Sequence, residues 1–190
     1  MLEVELKAAL DQTGTAQRLL ALGFTFSQRV EERDTYYLGI DRDFAQTDEA
    51  LRLRRARVLP AGREETRITY KGPKAPGVVK SRTEHETAVE DGQVMAQLLE
   101  ALGYRPLRQV EKVREMYVRG DVTACLDMVT GLGPFLELEI LTEADREAAA
   151  AVLLDLLDQL EIPRESLRRQ SYLGMLLAGH NGQGGTEGRA

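Results

Sequence analysis

The chain opens with charged residues at every second position, in Glu3-Val4-Glu5-Leu6-Lys7. Alternate side chains of a strand point to opposite faces, so the two glutamates and Lys7 would share one face while Val4 and Leu6 share the other. Grouped carboxylates can hold a hard cation such as Mg²⁺, and a neighbouring amine can bind phosphate oxygens. A half-buried surface strand has the same pattern, so this segment alone does not decide between a site and a surface.

The same alternation recurs along the chain with charges in the polar positions. It is found in Arg52-Leu53-Arg54, Arg82-Thr83-Glu84-His85-Glu86, Lys112-Val113-Arg114 and Glu137-Leu138-Glu139. Strands that are each apolar on one side and densely charged on the other predict a barrel with a charged interior. Burial of so many charges costs free energy unless they are paired, hydrated or bound to a ligand.

The charges of these motifs group by sign. The acids are Glu3, Glu5, Glu84, Glu86, Asp127, Glu137 and Glu139, and the bases are Lys7, Arg52, Arg54, Lys71, Arg82, Lys112 and Arg114. Guanidinium groups bind phosphate oxygens through paired hydrogen bonds, and adjacent carboxylates stay ionised together only when a cation lies between them. A divalent metal on the acids and a phosphate chain on the bases would satisfy both groups, which is the equipment for displacement at phosphorus. A purely structural network of ion pairs is the alternative.

Composition narrows the class of protein. The 190 residues fit one domain, and a net charge of −6 argues against a general nucleic-acid binder. The apolar runs fall short of the roughly 18 residues that a bilayer span needs, and the N-terminus does not resemble a signal peptide. Cys125 is the single cysteine, which excludes an internal disulfide and fits the cytoplasm. We therefore expect a cytoplasmic protein without nucleic-acid or membrane partners, and the oligomeric state stays open, with a homodimer as one option.

An internal repeat indicates two similar halves. Residues 16–24 and 96–104 share the pattern Ala-Gln-x-Leu-x-Ala-Leu-Gly followed by Phe or Tyr. Each copy predicts a helix that ends at a glycine, and each lies between a Glu-x-Glu strand and a further strand. Two such units could close into one barrel with approximate two-fold symmetry. Two unrelated helices with a common ending are the alternative.

The elements that must position the charges are assigned as follows. The predicted strands are 2–8, 30–38, 50–59, 65–72, 79–90, 108–118, 121–129 and 134–141, and the predicted helices are 13–22, 92–102, 143–160 and 163–177. Hairpin-length connections favour antiparallel pairing, with the helices on the apolar outer face. The loop 72–77 is either a flap at the barrel mouth or a plain connector. One domain spans 1–178, and the Gly-rich tail 179–190 is predicted to be disordered.

Taken in order, these motifs resemble the CYTH superfamily, the triphosphate tunnel metalloenzymes, from Leu2 to about Leu177. The resemblance implies an α+β fold in which a closed eight-stranded antiparallel barrel forms a tunnel for a triphosphate group, flanked by helices. It implies that Mg²⁺ or Mn²⁺ binds Glu3, Glu5, Asp127, Glu137 and Glu139, and that the seven bases named above grip the phosphates. It also implies catalytic roles for Lys7, Glu5, Arg82 and Asp127, whereas Glu84 and Glu86 would line the tunnel in an unassigned role.

Several further segments are most similar to the class IV adenylyl-cyclase branch of that superfamily. They are 34–37, 41–45, 47–52, 69–74 and Ser171-Tyr172. In this interpretation ATP places its triphosphate in the tunnel and is converted to cyclic AMP and pyrophosphate. An inorganic, thiamine or nucleoside triphosphatase is the first alternative, and a non-catalytic module that binds nucleotide or polyphosphate is the second. Tyr36, Tyr37 and His85 are the candidates for contact with an organic group, although His85 is expected to face outward.

Overall fold

The structure is a computed structural model that describes residues 2–11, 13–60, 62–74, 80–142 and 146–181. The strands are β1 (Leu2–Ala9), β2 (Thr25–Leu38), β3 (Ala50–Val58), β4 (Glu64–Lys71), β5 (Lys80–Val89), β6 (Arg105–Arg119), β7 (Val122–Val129) and β8 (Gly133–Thr142). The helices are α1 (Thr15–Ala21), α2 (Gly92–Ala101), α3 (Arg146–Gln159) and α4 (Tyr172–Asn181). The strands close into an antiparallel barrel in the order β1-β5-β4-β3-β2-β6-β7-β8. The predicted α+β barrel with flanking helices is confirmed.

The strand order has the two-fold symmetry that the sequence repeat predicts. Exchanging β1–β4 with β5–β8, each with its counterpart, reproduces every neighbour relation of the barrel. The two-fold axis of this exchange crosses the barrel wall at the two places where equivalent strands pair with each other, β1 with β5 and β2 with β6. Two copies of one strand–helix–strands unit therefore close a single barrel.

The repeated helix endings also have the same geometry. Gly23 and Gly103 have φ angles of 84° and 99°, in the left-handed region that glycine adopts without a steric penalty. The residue after each glycine donates its N–H to the carbonyl of Leu19 or Leu99, at 3.0 Å in both cases. The shared Leu-x-x-x-Gly spacing thus encodes the same turn from helix into strand twice.

The apolar face of β1 points out of the barrel and is covered by α3. Val4 and Leu6 are 0% and 2% exposed and belong to one cluster with Leu153, Leu156 and Leu157 of α3. Burying a leucine side chain contributes roughly 1.5–3 kcal/mol, so this packing fixes which face of β1 is outside. The charged face is thereby directed into the lumen, as the alternation predicts.

The predicted helix 163–177 is wrong. A short 3₁₀ turn at Arg164–Ser166 is followed by an extended segment, and α4 begins only at Tyr172. The extended segment bonds to β1: Leu167 forms an isolated bridge with Ala8, and the N–H of Arg168 donates to the carbonyl of Lys7 at 2.8 Å. These long-range backbone bonds replace the helical ones that local propensity favours.

Other boundaries also differ from the prediction. Strands β2 and β6 begin at Thr25 and Arg105, before the predicted starts at 30 and 108, and the residues that extend β2, Thr25–Arg29, have no clear apolar–polar alternation to mark a strand. Helix α4 runs through Asn181, so three residues of the predicted tail are helical. Residues 182–190 lie outside the described residues, as do residues 75–77 of the predicted loop, and their disorder or mobility stays a prediction. No helix in the described part of the chain is both long and apolar enough to cross a membrane.

Candidate active site

A cavity of about 380 Å³ occupies the lumen of the barrel, and its lining is almost entirely charged. Every site residue predicted from the sequence lines it, with the exception of Asp127. These residues are Glu3, Glu5, Lys7, Arg52, Arg54, Lys71, Arg82, Glu84, Glu86, Lys112, Arg114, Glu137 and Glu139. The alternation of each strand, closed into a barrel, therefore brings residues that are up to 136 positions apart in sequence to one chamber.

Asp127 lies behind the cavity wall as the centre of a buried ion cluster. Arg114 holds it through two parallel bonds, Nε to Oδ1 and Nη2 to Oδ2, both 2.7 Å long. Lys112 lies 3.1 Å from the same carboxylate, and Arg114 also contacts Glu137. A side chain held in this way orients the two bases towards the lumen, so its contacts favour a positioning role over a role as a metal ligand.

The carboxylates of this cluster stay ionised because of the bases around them. Burial alone would raise the pKa of Asp127, but the charges of Lys112 and Arg114 outweigh it and hold the pKa below its ordinary value. Burial likewise opposes ionisation of Glu137, yet Lys7 and Arg114 hold its pKa well below the usual range. Lys7 lies 2.8 Å from Glu137. Both carboxylates of the cluster are therefore paired with bases and are not free acids.

Tyr172, the first residue of α4, is part of the same cluster, and no motif in the sequence marks this role. Its hydroxyl donates to Asp127 at 2.9 Å, and its ring centre lies 3.9 Å from the Lys7 ammonium and 5.2 Å from that of Lys112. Burial, together with the charges of Glu137 and Asp127, raises the pKa of the tyrosine well above its ordinary value. The ring of the neutral tyrosine therefore helps to hold both lysine ammonium groups in place through cation–π contact.

Strands β2 and β3 form a second ion cluster, which contains two acids that the alternation of apolar and charged residues does not identify. Arg54 binds Asp34 through two bonds of 2.7 Å and Glu32 through one of 2.9 Å, while Arg52 lies 3.5 Å from Asp34. Burial would raise the pKa of Asp34, but Arg52 and Arg54 hold it well below its ordinary value. Glu32 also lies 3.2 Å from Lys112, which joins the two clusters.

The sequence hides these acids because β2 carries charges on both faces. Glu31 and Arg33 alternate with Glu32 and Asp34, so no apolar face distinguishes inside from outside. Burial does distinguish them, since Glu32 and Asp34 are 6% and 2% exposed whereas Arg33 is exposed. The repeat supplies a usable signal: Glu32 and Asp34 stand 80 positions before Lys112 and Arg114, which the alternation does identify.

A third group of side chains lies on β1, β4 and β5. Lys71 is 2.7 Å from Glu84 and 3.4 Å from Glu3. Burial raises the pKa of Glu3 to about 8, since Lys71 offsets only part of that cost and Glu84 and Glu5 add to it. At neutral pH this carboxyl thus lacks the positive charge that would keep it ionised.

Glu139, on the neighbouring strand β8, is a second carboxyl whose burial is not offset by the charge of a nearby base. Burial raises its pKa to about 7 despite the charge of Arg114, with Glu137 and Glu5 adding to the rise. Glu5 and Glu139 stand directly opposite each other in the β1–β8 pair. Glu3, Glu5 and Glu139 therefore form a group of carboxylates on the neighbouring strands β1 and β8, at one side of the lumen.

This grouping fits a hard divalent cation. Within the described ranges, no three metal-ligating side chains form a ready-made cluster. Mg²⁺, however, is usually held by one or two carboxylates together with substrate phosphates, and it keeps several waters. The carboxylates of Glu3, Glu5 and Glu139 lie beside a basic chamber and supply that half-site, so the donor set fits Mg²⁺ or Mn²⁺ bound together with a phosphate chain.

Two residues considered in the sequence lie away from the cavity. The His85 ring stacks on Tyr70 with ring centres 6.3 Å apart, and the histidine is exposed on the outer face as expected. Cys125 is fully buried, and burial raises the pKa of its thiol well above the ordinary value. Neither side chain is placed to act on a ligand in the lumen.

Residues 1–172 match the family model of the CYTH domain. The chain belongs to the CYTH domain family. It is 38% identical over 178 residues to a Methanocaldococcus jannaschii protein that bears the name "putative adenylate cyclase", covering 91% of this chain and 97% of that one. It is also 35% identical over 127 residues to the thiamine-triphosphatase of Macaca fascicularis, covering 67% of this chain and 46% of that enzyme. This CYTH protein shares its fold with the PH1819 protein of Pyrococcus horikoshii, with a TM-score of 0.86 and 36% identity over 93% of this chain and 99% of the other.

Proposed function

We propose that this protein is a metal-dependent enzyme that binds a triphosphate chain in the tunnel and breaks one of its P–O–P bonds. The observation that carries the proposal is the concentration of bases in one closed chamber. Lys7, Arg52, Arg54, Lys71, Arg82, Lys112 and Arg114 all line it. A triphosphate is a compact polyanion whose oxygens such a set can contact from several strands at once.

The acids of the chamber divide into two kinds in this proposal. Glu3, Glu5 and Glu139 would hold Mg²⁺ or Mn²⁺, because burial raises the pKa of Glu3 and Glu139 despite the bases near them, and Glu5 stands directly opposite Glu139. The bound metal would withdraw negative charge from the phosphate and lower the pKa of an attacking hydroxyl. Asp127 and Glu137 are tied to bases, and their role is to position Lys7, Lys112 and Arg114.

The first candidate reaction is that of an adenylyl cyclase. The ribose 3′-oxygen of ATP would attack the α-phosphorus, the bond from that phosphorus to the bridging oxygen would break, and pyrophosphate would leave while the hydroxyl proton passes to solvent. Lys7 and the neighbouring bases would stabilise the charge of the leaving pyrophosphate. The 38% identity with the archaeal protein, along nearly all of both chains, supports this assignment.

The second candidate is a triphosphatase. Water would attack the terminal phosphorus, the bond from that phosphorus to the bridging oxygen would break, and the shortened chain would leave from the orthophosphate so formed while a proton of the water passes to solvent. The 35% identity with a thiamine-triphosphatase supports this candidate, although the match spans less than half of that enzyme. Both reactions would use the same contacts to the phosphate chain. They differ in which phosphorus atom the nucleophile attacks.

The partner in either case is a small-molecule triphosphate, and the acidic composition speaks against nucleic acid as a substrate. We assign the protein to the cytoplasm because a single buried cysteine suits a reducing compartment. A homodimer stays a prediction.

The test is a turnover assay with ATP and with inorganic triphosphate, each with Mg²⁺ and with Mn²⁺, followed by chromatographic separation of the products. Cyclic AMP and pyrophosphate would support the cyclase, and orthophosphate from either substrate would support the triphosphatase. Tight binding with no product from any substrate would replace the enzyme with a binding module.

Variants of the proposed metal ligands separate an enzyme from a binder. We expect Glu5→Gln and Glu139→Gln to abolish metal-dependent turnover while the affinity for triphosphate in EDTA is kept or improved, since repelling charges are removed. Glu115→Gln on the outer part of β6 is the matched control. Turnover that persists in both lumen variants with an unchanged metal requirement would contradict the metal assignment.

A further inference from the structure

Helix α2 leaves part of its apolar surface uncovered. Val94, Leu98 and Leu102 are 48%, 51% and 66% exposed. Residues four positions apart lie on one face of a helix, so these three side chains form a continuous strip, here called the α2 stripe. Ile40 of the β2–β3 loop, 55% exposed, extends it, since a Cβ on Gly103 would lie 3.2 Å from this isoleucine. The apolar surface therefore runs the length of the helix.

The equivalent face of α1 is covered by α3. The three positions of the α2 stripe correspond to Gly14, Arg18 and Leu22 in the first copy of the repeat. Leu22 packs against the core cluster to which α3 contributes, and Arg18 lies 3.5 Å from Glu161, just after α3. Exchange of the two halves would place a counterpart of α3 after β4. Only residues 72–79 connect β4 to β5, fewer than the 14 residues of α3.

The strand that such a counterpart would cover has a polar outer face instead. Val4 and Leu6 of β1, which α3 covers, correspond to His85 and Thr87 of β5, because both pairs alternate with a Glu-x-Glu motif. His85 and Thr87 are exposed. The absence of a covering helix is thus matched by polar residues on β5 but not on α2. A contiguous apolar strip beside a polar surface is typical of a site that binds another protein.

We propose that the α2 stripe is the contact of a homodimer, in which α2 packs antiparallel against α2 of a second copy of this chain. The stripe is centred on Leu98, with one aliphatic residue four positions to either side. A two-fold axis at Leu98 would therefore place Val94 of one copy against Leu102 of the other, with the ridges of both helices interdigitated. A two-fold interface uses the same patch on both copies, and the symmetry of the stripe meets that requirement. This inference concerns assembly and is independent of the proposed reaction.

The charges at the two ends of the stripe favour a second copy as the occupant. Glu90 stands four positions before Val94, Arg105 stands three positions after Leu102, and both charged side chains are exposed. In the antiparallel arrangement, Glu90 of each copy lies at the end of the stripe where Arg105 of the other copy lies. The contact is thus made twice by symmetry. Complementary charges at the rim of an apolar contact fix the orientation of the partners.

The experiment is sedimentation velocity of the full chain over a range of concentrations, for the wild type and for Leu98→Arg. We expect the wild type to sediment as a dimer. Leu98→Arg introduces the residue that α1 has at the equivalent position, Arg18, and brings two like charges together at the two-fold axis. It should raise the dissociation constant of the dimer by roughly 30-fold or more, since central residues contribute most of the binding energy of an interface.

The matched control is Leu20→Arg on α1, because Leu20 and Leu98 are both 51% exposed. It should leave the dissociation constant unchanged. Circular dichroism and thermal unfolding check that both variants keep the fold. A wild type that stays monomeric at every concentration overturns the inference, since the stripe would then take a different partner. Equal weakening of the dimer by the two variants also overturns it, because the contact would then lie elsewhere.

A charge exchange tests the antiparallel arrangement. Glu90→Arg and Arg105→Glu should each weaken the dimer, because each places like charges at both ends of the contact. The double variant should restore the dissociation constant to near that of the wild type. A double variant that is as weak as the sum of the single ones would overturn the antiparallel pairing.

Discussion

The two halves of the barrel share an architecture, but the charges on β2 and β3 are opposite in sign to those on β6 and β7. At matching positions of the repeat, β2 presents Glu32 and Asp34 to the lumen where β6 presents Lys112 and Arg114. The next strand of each half is reversed as well, because β3 supplies arginines to the acids of β2 and β7 supplies Asp127 to the bases of β6. In both halves, charges of opposite sign on neighbouring strands therefore pair with each other.

The difference in sign between the two halves also brings opposite charges together where β2 pairs with β6. Glu32 and Lys112 stand directly opposite each other in the β2–β6 pair, with 3.2 Å between carboxylate oxygen and ammonium nitrogen. Identical charges at these positions would have placed like charges across the seam of the barrel, which is destabilising. A duplicated unit can close a charged barrel on itself only if its two copies differ in sign here.

Burial varies within the second half. The side chain of Asp127 is 0% exposed, whereas Glu84 and Glu86 of β5 in the same half are 20% and 31% exposed. Tyr172 of α4 covers the cluster around Asp127, to which its hydroxyl donates. We infer that this cluster contributes strongly to the stability of the barrel.

The largest expected effect is the loss of Asp127. Asp127→Ala removes the carboxylate that Arg114 and Lys112 share in a buried site. We therefore expect the free energy of unfolding to fall by about 3–5 kcal/mol. Urea denaturation monitored by circular dichroism measures it. Asp158→Ala, which removes a partner of Arg164 at the surface, is the control and should produce no comparable loss. Equal losses in the two variants would contradict the structural role of the cluster.

The next effect concerns binding in the first half. Arg52→Ala and Arg54→Ala should each weaken the binding of inorganic triphosphate by about 1.5–3 kcal/mol, the contribution of a charge-assisted hydrogen bond, which is roughly 10- to 150-fold in the dissociation constant. Arg57→Ala is a matched control, because Arg57 lies on the same strand but is exposed and pairs with Glu31 outside the barrel. Unchanged affinity in both lumen variants would refute their role as phosphate ligands.

Local patterns explain why most of the site, but not all of it, could be predicted from the sequence. Where one face of a strand is apolar, as with Val4 and Leu6 in β1, the charged face must point inward, and the predicted residues reach the lumen. In β2 both faces are charged, so the alternation does not place Glu32 and Asp34 in the lumen. The sequence does not indicate that Tyr172 joins the ion cluster, because its place depends on the extended segment that bonds to β1, which no local pattern encodes.

Asp34 in the first half should make the stability of the protein depend on pH in the acid range. The bases around Asp34 hold its pKa below the unfolded value of about 4, so its ionised form stabilises the fold above that pH, and this contribution is lost as the pH falls below it. Asp34→Asn should therefore cost about 1–3 kcal/mol at pH 7, and the difference from wild type should shrink below pH 4. Urea denaturation at pH 7 and pH 3 measures both values, with Asp41→Asn on an exposed loop as control. A difference that stays constant between the two pH values would show that Asp34 does not carry this linkage.

The smallest effect tests the symmetry of the two halves themselves. Gly23→Ala and Gly103→Ala place a side chain on a left-handed residue, which costs roughly 1–2 kcal/mol for an ordinary residue. A Cβ at Gly23 would meet Arg119 at 3.8 Å, an ordinary contact, whereas one at Gly103 would meet Ile40 at 3.2 Å and force that side chain to move. We therefore expect Gly103→Ala to lower the free energy of unfolding by at least as much as Gly23→Ala. Gly72→Ala, where the backbone is not left-handed and the nearest atom is 3.6 Å away, is the control. If only one of the two helix-end variants is destabilised, the shared Leu-x-x-x-Gly spacing does not have the same structural role in both halves, and the repeat is equivalent in topology alone.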